Sequence, residues 1–348
     1  MQSLTREQRF LGAMFGLAYG DAISFPALFH RFQALPARRH NYVWRTNQQH
    51  SQQQIARLTL PFTHRIPAAT LEPSPTDDTE WAVLTLKALI DDPNPPTQET
   101  FLRAWQDEVV PQADTVWGSF SERSAIENFK RGLLPPATGN DNPLHYEDNA
   151  VARAVPIGLY YAGQPDQAAA LAELDAQITQ AEDGIYAARG MAAAIALLAD
   201  GGSLADALHR ARQEFPTDSW IAHVDEIAQA CVLEASTLDD LIVLLATRVI
   251  NTVYSFGSLA PETFPAALAI VAQSAGDLSS ACLQANTLAK ASDSLPAMVG
   301  ALCGAYQGVD AISAQWRACL ATCRGVCLPF LAGTNLEDLT LQLVERLD

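Results

Sequence analysis

The sequence predicts an all-α fold. Three observations carry that expectation: apolar residues recur at three- and four-residue spacing along most of the chain, alternating strand patterns are scarce, and stripes of Gly and Ala mark faces where helices would touch. The clearest helix lies in "EDGIYAARGMAAAIALLADGG". There Ile185, Ala188, Ala192, Ile195 and Ala199 share one face, and Gly201 is placed to terminate it. The same reading predicts helices over about 80–91, 99–110, 165–180, 203–214, 222–234, 238–250, 264–275, 278–289, 295–307, 311–324 and 336–347. Apolar residues are spread from end to end of the 348-residue chain with no low-complexity linker, which predicts a single domain over 1–348.

Taken in order, "TREQ" (Thr5 to Gln8) reads as a capping box that opens the first helix. Although Leu11 to Gly20 is apolar, no small-residue cleavage site follows, so the start reads as cytoplasmic rather than secretory. Gly12, Gly16 and Gly20 are spaced by four, and Ala297, Gly300, Ala301, Gly304 and Ala305 form a second narrow face. Mid-helix Gly costs about 1 kcal/mol relative to Ala. Close packing of these two faces is the expected compensation.

Two loop-rich regions are expected, at about 24–75 and 132–150. The first is cationic: no acidic residue lies between Asp21 and Glu72, while Arg31, Arg38, Arg39, Arg45, Arg57 and Arg65 fall there with His30, His40, His50 and His64. Such a field draws anionic ligands or partners. A solvated loop is the plainer alternative. Trp81, Trp105 and Trp117 read as core. Cys319, Cys323 and Cys327, spaced by four, read as a buried stripe on one helical face, with thiols reduced.

The formal charge of −17 argues against nucleic acid as the main partner, since phosphate recognition needs concentrated Lys and Arg. No apolar run reaches the roughly 18 residues expected of a membrane-spanning helix. A soluble, cytoplasmic protein is expected.

The chemistry concentrates in two segments. In "PTDDTEWAVLTLKAL", Pro75 disfavours helix at Ser74, Thr76 is a good N-cap, and Asp77 and Asp78 fall in the first turn, where they offset the helix dipole. In "ASDSLPAMVGALCGAYQG", Asp293 and Ser294 likewise precede a Pro and a small-residue helix. Each is by itself a helix start. Facing each other, they would offer the hard oxygen ligands that Mg²⁺ or Mn²⁺ prefer.

Five segments, in order, resemble the ADP-ribosylglycohydrolase family, the group that includes the dinitrogenase reductase-activating glycohydrolases. "GAMFGLAYGDAISFP" resembles its opening helix and Gly-Asp-Ala turn, and "PTDDTEWAVLTLKAL" its Thr/Ser-Asp-Asp-Thr metal motif. "DNAVARAVPIGLYYAG" resembles its Asn-Gly-Ala-Ala-Met-Arg segment, "ITQAEDGIYAARGMAAAIA" the stretch that opens Thr-His, and "ASDSLPAMVGALCGAYQG" its Gly-Asp-Thr-Asp motif. The resemblance implies an orthogonal multi-helix bundle with a central metal cleft. It makes Thr76, Asp77, Asp78, Asp293 and Ser294 the ligands of one or two Mg²⁺ or Mn²⁺ ions, with Asp77 or Asp78 as the catalytic carboxylate.

His145, Tyr146, Asn149, Arg153 and Gln180 become substrate contacts on the same ground. Arg153 also reads as a structural partner of a buried carboxylate, and Asp21 as an acceptor of backbone or Arg hydrogen bonds rather than a metal ligand. The implied reaction is hydrolysis of the glycosidic bond linking ADP-ribose to an acceptor, whether a modified protein, a nucleobase or a small molecule.

The chain departs from the family pattern in four places. Ala291 stands where the second metal motif has its first Asp, which removes a carboxylate from one ion. Gln180 replaces the His of Thr-His. Pro26, Ala27 and Leu28 stand where an acidic residue commonly follows Gly-Asp, and Asp148 and Ala150 replace the glycines around Asn149. Two functions therefore stay open: a metal-dependent ADP-ribosyl hydrolase, or a catalytically weak relative that binds ADP-ribose or a partner by sequestration.

Overall fold

The structure, a computed structural model, describes residues 4–32, 73–250, 257–288 and 290–347. They form sixteen α-helices and no strand among the described residues, only two isolated bridges, Glu147 with Leu259 and Thr322 with Asn335. The first helix, α1 (Arg6–Phe32), opens on the expected capping box: the Thr5 N–H donates to Gln8 Oε1 at 2.9 Å, and the Gln8 N–H to Thr5 Oγ1 at 3.2 Å. It runs on through Pro26 to Phe32, so residues 24–32 are helix and not the expected loop, consistent with the helix-forming Ala27 and Leu28. The cationic stretch beyond it, with Arg38, Arg39 and Arg45, lies outside the described residues.

The remaining helices are α2 (Asp77–Asp91), α3 (Gln98–Ala104), α4 (Phe120–Lys130), α5 (Ala137–Asn140), α6 (Asn149–Tyr160), α7 (Pro165–Ala176) and α8 (Asp183–Ala199). They continue as α9 (Leu204–Arg212), α10 (Trp220–Glu234), α11 (Leu238–Arg248), α12 (Ala260–Gln273), α13 (Leu278–Ala285), α14 (Leu295–Gln307), α15 (Ala314–Leu320) and α16 (Leu336–Leu347). Helix α4 was not expected, although Ser119-Phe-Ser-Glu122 is a capping box that both partners make. The helix expected over 99–110 is α only to Ala104. It widens into a π turn at Trp105–Val109 and tightens at Val110–Gln112, where Pro111 has no N–H to continue the ladder.

At the centre α1 and α14 lie backbone against backbone. A Cβ on Gly12 would fall 2.1 Å from the Gly304 carbonyl oxygen, one on Gly16 2.0 Å from that of Gly300, and one on Gly20 1.9 Å from that of Pro296. No larger residue fits this seam, and the two small-residue stripes meet as expected. Helix α6 packs on α7, α8 and α2, with Gly158 letting it approach the Ala192 carbonyl, and the almost wholly apolar α8 is buried between neighbours.

Two core expectations need correction. Trp105 and Trp81 are buried and stacked 5.0 Å apart, but Trp117 is 40% exposed, on the loop that leads into α4. The three cysteines do not share a helix. Helix α15 stops at Leu320, and the chain turns back at Gly325 (φ 70°) and pairs Cys323 with Thr334 and Gly333. Glu80 holds the turn by accepting the N–H groups of Val326, Cys327 and Leu328 at 2.7–2.8 Å. Cys323 and Cys327 are buried and Cys319 is exposed; all six thiols are free.

Candidate functional site

The fold brings several helix starts to one pocket. Asp77, Asp78 and Trp81 come from the first turns of α2, Ser119 from the cap of α4 and Asn149 from the first residue of α6. Asp293 and Ser294 come from the cap region of α14, and Ser258 lies just before α12. Helix N-termini carry partial positive charge and unpaired N–H groups, so acidic side chains gather there at low cost. That is why sequence segments hundreds of residues apart each look like a cap and together form a site.

Asp21, on α1, organises the acidic cluster. It accepts the backbone N–H of Thr76 at 2.8 Å and of Thr79 at 3.1 Å, together with the hydroxyls of Thr76 and Thr79, the latter at 2.5 Å. Thr76 thus sits at the N-cap of α2 as expected, but its hydroxyl serves Asp21 and makes no capping bond. As the donor in that bond, its oxygen keeps lone pairs free. Asp21 does accept backbone hydrogen bonds, yet oxygens of Asp21, Asp77 and Asp78 also lie within 4.8 Å of one another. The reading of Asp21 as an acceptor of backbone hydrogen bonds is borne out, and its nearness to Asp77 and Asp78 was not expected.

The second acidic segment meets the first through Ser24 and Ser294. Ser24 Oγ lies 2.8 Å from the Asp21 carbonyl oxygen and 2.9 Å from that of Asp293, its single proton serving one of them at a time, and so ties the end of α1 to the α14 cap. Ser294 Oγ donates to Asp148 Oδ2 at 2.7 Å, and Thr263 Oγ1 donates to the same oxygen at 2.6 Å. Asp148, visible in the sequence only as a departure, is completely buried, and its other carboxylate oxygen has no partner.

Burial and mutual repulsion act on every carboxylate of this group. Asp77 is pushed up to about 7 by burial and by the charge of Asp21, and Asp21 to about 6 by burial, against the four hydrogen bonds that lower it. Asp148 is raised to about 6 by burial, partly offset by Thr263 and Ser294. Asp78 and Asp293 rise well above the carboxylate range, first from burial and then from Asp77. A cluster of this kind either holds protons or holds a cation. The donor set, carboxylates and hydroxyls with one unpartnered buried oxygen, fits a hard divalent ion.

Of the residues expected at the site, Asp77, Asp78, Asp293, Ser294 and Asn149 come together in the pocket, and Thr76 stands directly behind it. His145 and Tyr146 lie in the loop before α6 and do not line it: the His145 ring is 3.5 Å from Glu182, and Tyr146 stacks edge-on with Trp220. Arg153 is fully buried, bonded to Asp175 at 2.9 Å and to Thr179 at 2.8 Å, with Glu122 at 3.6 Å. Gln180 is fully buried as well and donates to Ser121 Oγ at 3.1 Å.

Sequence reading passed over Ser119, Glu122 and Glu147 altogether. Ser119 lines the pocket, and the two glutamates are completely buried behind it. The Ser119–Glu122 capping-box spacing was the available signal for the first two. Burial and the charge of Glu122 push Glu147 up to about 7.

The sequence pattern of the ADP-ribosylglycohydrolase family matches residues 2–348. No curated protein matches the chain. A solved structure described as an ADP-ribosylglycohydrolase-related protein complex is similar over 99% of both chains, with a TM-score of 0.59 at 20% identity, a likeness that speaks for the fold. The chain belongs to the ADP-ribosylglycohydrolase family.

Proposed function

We propose that, as a member of this family, the protein hydrolyses the glycosidic bond between ADP-ribose and an acceptor, with one divalent cation, Mg²⁺ or Mn²⁺, tightly held. The observation that supports this best is the convergence of Asp77, Asp78, Asp293 and Ser294 on one pocket, with Asp21 within 4.8 Å of the first two. Thr76, Asp77, Asp78, Asp293 and Ser294 are the proposed ligands, joined by Asp21. When bound, the ion supplies a lowered pKa for a coordinated water and a fixed orientation for ribose hydroxyls.

The chain's own residues do the rest. Asp77 or Asp78 takes the proton of the attacking water as general base. Asn149, whose amide is at the pocket wall, orients the sugar. Arg153 and Gln180 brace that wall through Glu122 and Ser121. Among the described residues no helix is long and apolar enough to cross a membrane, and the free thiols suit a reducing compartment, so we assign the protein to the cytoplasm.

Ala291, buried and without a ligand atom, favours a second reading, a weak catalyst that binds ADP-ribose or an ADP-ribosylated partner. One experiment separates the two. The protein is incubated with Mg²⁺ or Mn²⁺ and with acceptors ADP-ribosylated on arginine, serine or a nucleobase, and free ADP-ribose is measured. Release supports the hydrolase; tight binding without release supports sequestration.

A further inference from the structure

Behind the pocket wall, Ser119 joins two buried glutamates in a way that a simple hydrogen-bond account does not close. Its hydroxyl oxygen lies 2.8 Å from Glu122 Oε2, 2.6 Å from Glu147 Oε2 and 2.7 Å from Asn149 Nδ2. The amide donates to it, and donates also to Glu122 Oε2 at 2.6 Å. A hydroxyl has one proton, so it donates to one carboxylate only. The second short oxygen–oxygen contact calls for a proton on one of the two carboxyl groups, even though Glu122 Oε2 also accepts the Ser119 N–H at 3.0 Å and Glu147 Oε2 the Ser121 N–H at 2.8 Å. Turning the Asn149 amide over would set oxygen against Glu122 and call for one proton more.

The charges around the pair agree. Both glutamates are completely buried, and each has one carboxylate oxygen with no hydrogen bond. The guanidinium of Arg153 faces Glu122 at 3.6 Å but is already bonded to Asp175 at 2.9 Å, so one cation stands among three buried carboxylates. The charge of Glu122 is felt at Asp77 and at Asp148, whose carboxyls it helps to raise. Two fully ionised glutamates at this spacing would share that one guanidinium with Asp175 and would otherwise be met only by neutral donors, the Ser119 and Ser121 N–H groups and the Asn149 amide.

We infer that Glu122, Ser119 and Glu147 hold one shared proton at the pocket wall, and that Ser119 hands it to the departing atom of the glycosidic bond. This rests on the hydrolase reading for its second half only. The balance is simple: the attacking water gives its proton to Asp77 or Asp78, and the nitrogen or oxygen leaving the anomeric carbon takes the Ser119 proton. Ser119 is replenished from the carboxyl behind it, and the Asp proton restores the pair through solvent. The arrangement supplies an acid in a chain whose sequence lacks the acidic residue after Gly20-Asp21. Ser119 is the group that meets the substrate; Glu122 and Glu147 act through it.

The test has two arms. Infrared difference spectra at neutral pH, wild type minus Glu147→Gln and wild type minus Glu122→Gln, should each show the loss of a protonated-carboxyl band, because removing either partner removes the need for the shared proton. Absence of the band from both differences would overturn the inference whatever the enzyme does. Ser119→Ala, which keeps both glutamates, guards against misfolded variants and should shift the band rather than abolish it.

In the kinetic arm, Glu147→Gln should lose about a hundredfold or more against an alkoxide or amine leaving group. It should lose little against a 4-nitrophenolate leaving group, which needs no proton. Equal losses on both substrates would reduce the pair to a structural part and refute the delivery step. If wild type cleaves neither substrate while the band is present, the hydrolase reading fails and the shared proton stands.

Discussion

Gly20→Ala tests whether the helix seam positions the site. A Cβ at residue 20 would lie 1.9 Å from the Pro296 carbonyl oxygen, roughly 1.5 Å short of ordinary contact at 3.4 Å, and backbone on both sides leaves no flexible atom to yield. Overpacking of this kind costs about 1–3 kcal/mol. Replacing a helical Gly by Ala returns about 0.5–1 kcal/mol, so, with a clash this severe at the upper end of that cost, a net loss of about 2–2.5 kcal/mol and several degrees of Tm is expected.

The sharper expectation concerns the ion. Gly20 adjoins Asp21, and Pro296 is two residues past Ser294, so the helices must part where the acidic cluster is assembled. Mn²⁺ affinity should fall tenfold or more, about 1.4 kcal/mol. Gly12→Ala is the control: its clash with Gly304 is nearly as severe, at 2.1 Å, but it lies about 12 Å away along the helix. It should cost similar stability and little affinity. Thermal unfolding with and without Mn²⁺ and calorimetric titration of both variants decide the matter. Equal losses of affinity, or none in Gly20→Ala, would refute the link between seam and site.

Three further outcomes are expected. Divalent metal should stabilise the wild type by mass action, by about 2.7 kcal/mol at a hundred times Kd, and so raise its Tm, and Asp78→Ala or Asp293→Ala should lose that response; melts that still respond would remove these residues from the ligand set. Ala291→Asp should add a second tightly bound ion to the single one of the wild type, with titration stoichiometry as the readout, and two tight ions in the wild type would contradict the role given to Ala291. The third concerns pH. Asp21 and Asp77 titrate near 6 and 7 in the fold against about 4 when unfolded, so the folded, metal-free chain keeps protons that the unfolded chain has released. Its stability should therefore fall as pH rises from about 4 to about 7, by at most about 1.4 kcal/mol per proton per pH unit, and saturating Mg²⁺ should flatten the slope; a chemical-denaturation series across that range that shows no slope without metal would refute the shifts.

Local pattern carried what depends on the chain's immediate neighbours. The all-α class, the Thr5–Gln8 capping box, the helix through Ile185 and Ile195 and the two small-residue stripes were legible, because a 3.6-residue period and a cap are properties of a few consecutive residues. The meeting of Asp77, Asp78, Asp293 and Ser294 in one pocket was legible through the family resemblance. What the sequence could not carry was which distant groups share a pocket. Asp21 was legible as an acceptor, but not that its donors would be Thr76 and Thr79, more than fifty residues on, and Asp148 looked like a lost glycine until Ser294 bonded it from 146 residues away.

The same limit explains the cysteine stripe, whose spacing promised a helix that Glu80 prevents by gathering the N–H groups of Val326, Cys327 and Leu328. It explains Glu122 and Glu147 too, two unremarked carboxylates until Ser119 joined them. Periodicity records how a segment folds on itself. A carboxylate's role, as acceptor, ligand or proton store, is set by the field at its oxygens, and only packing decides that field.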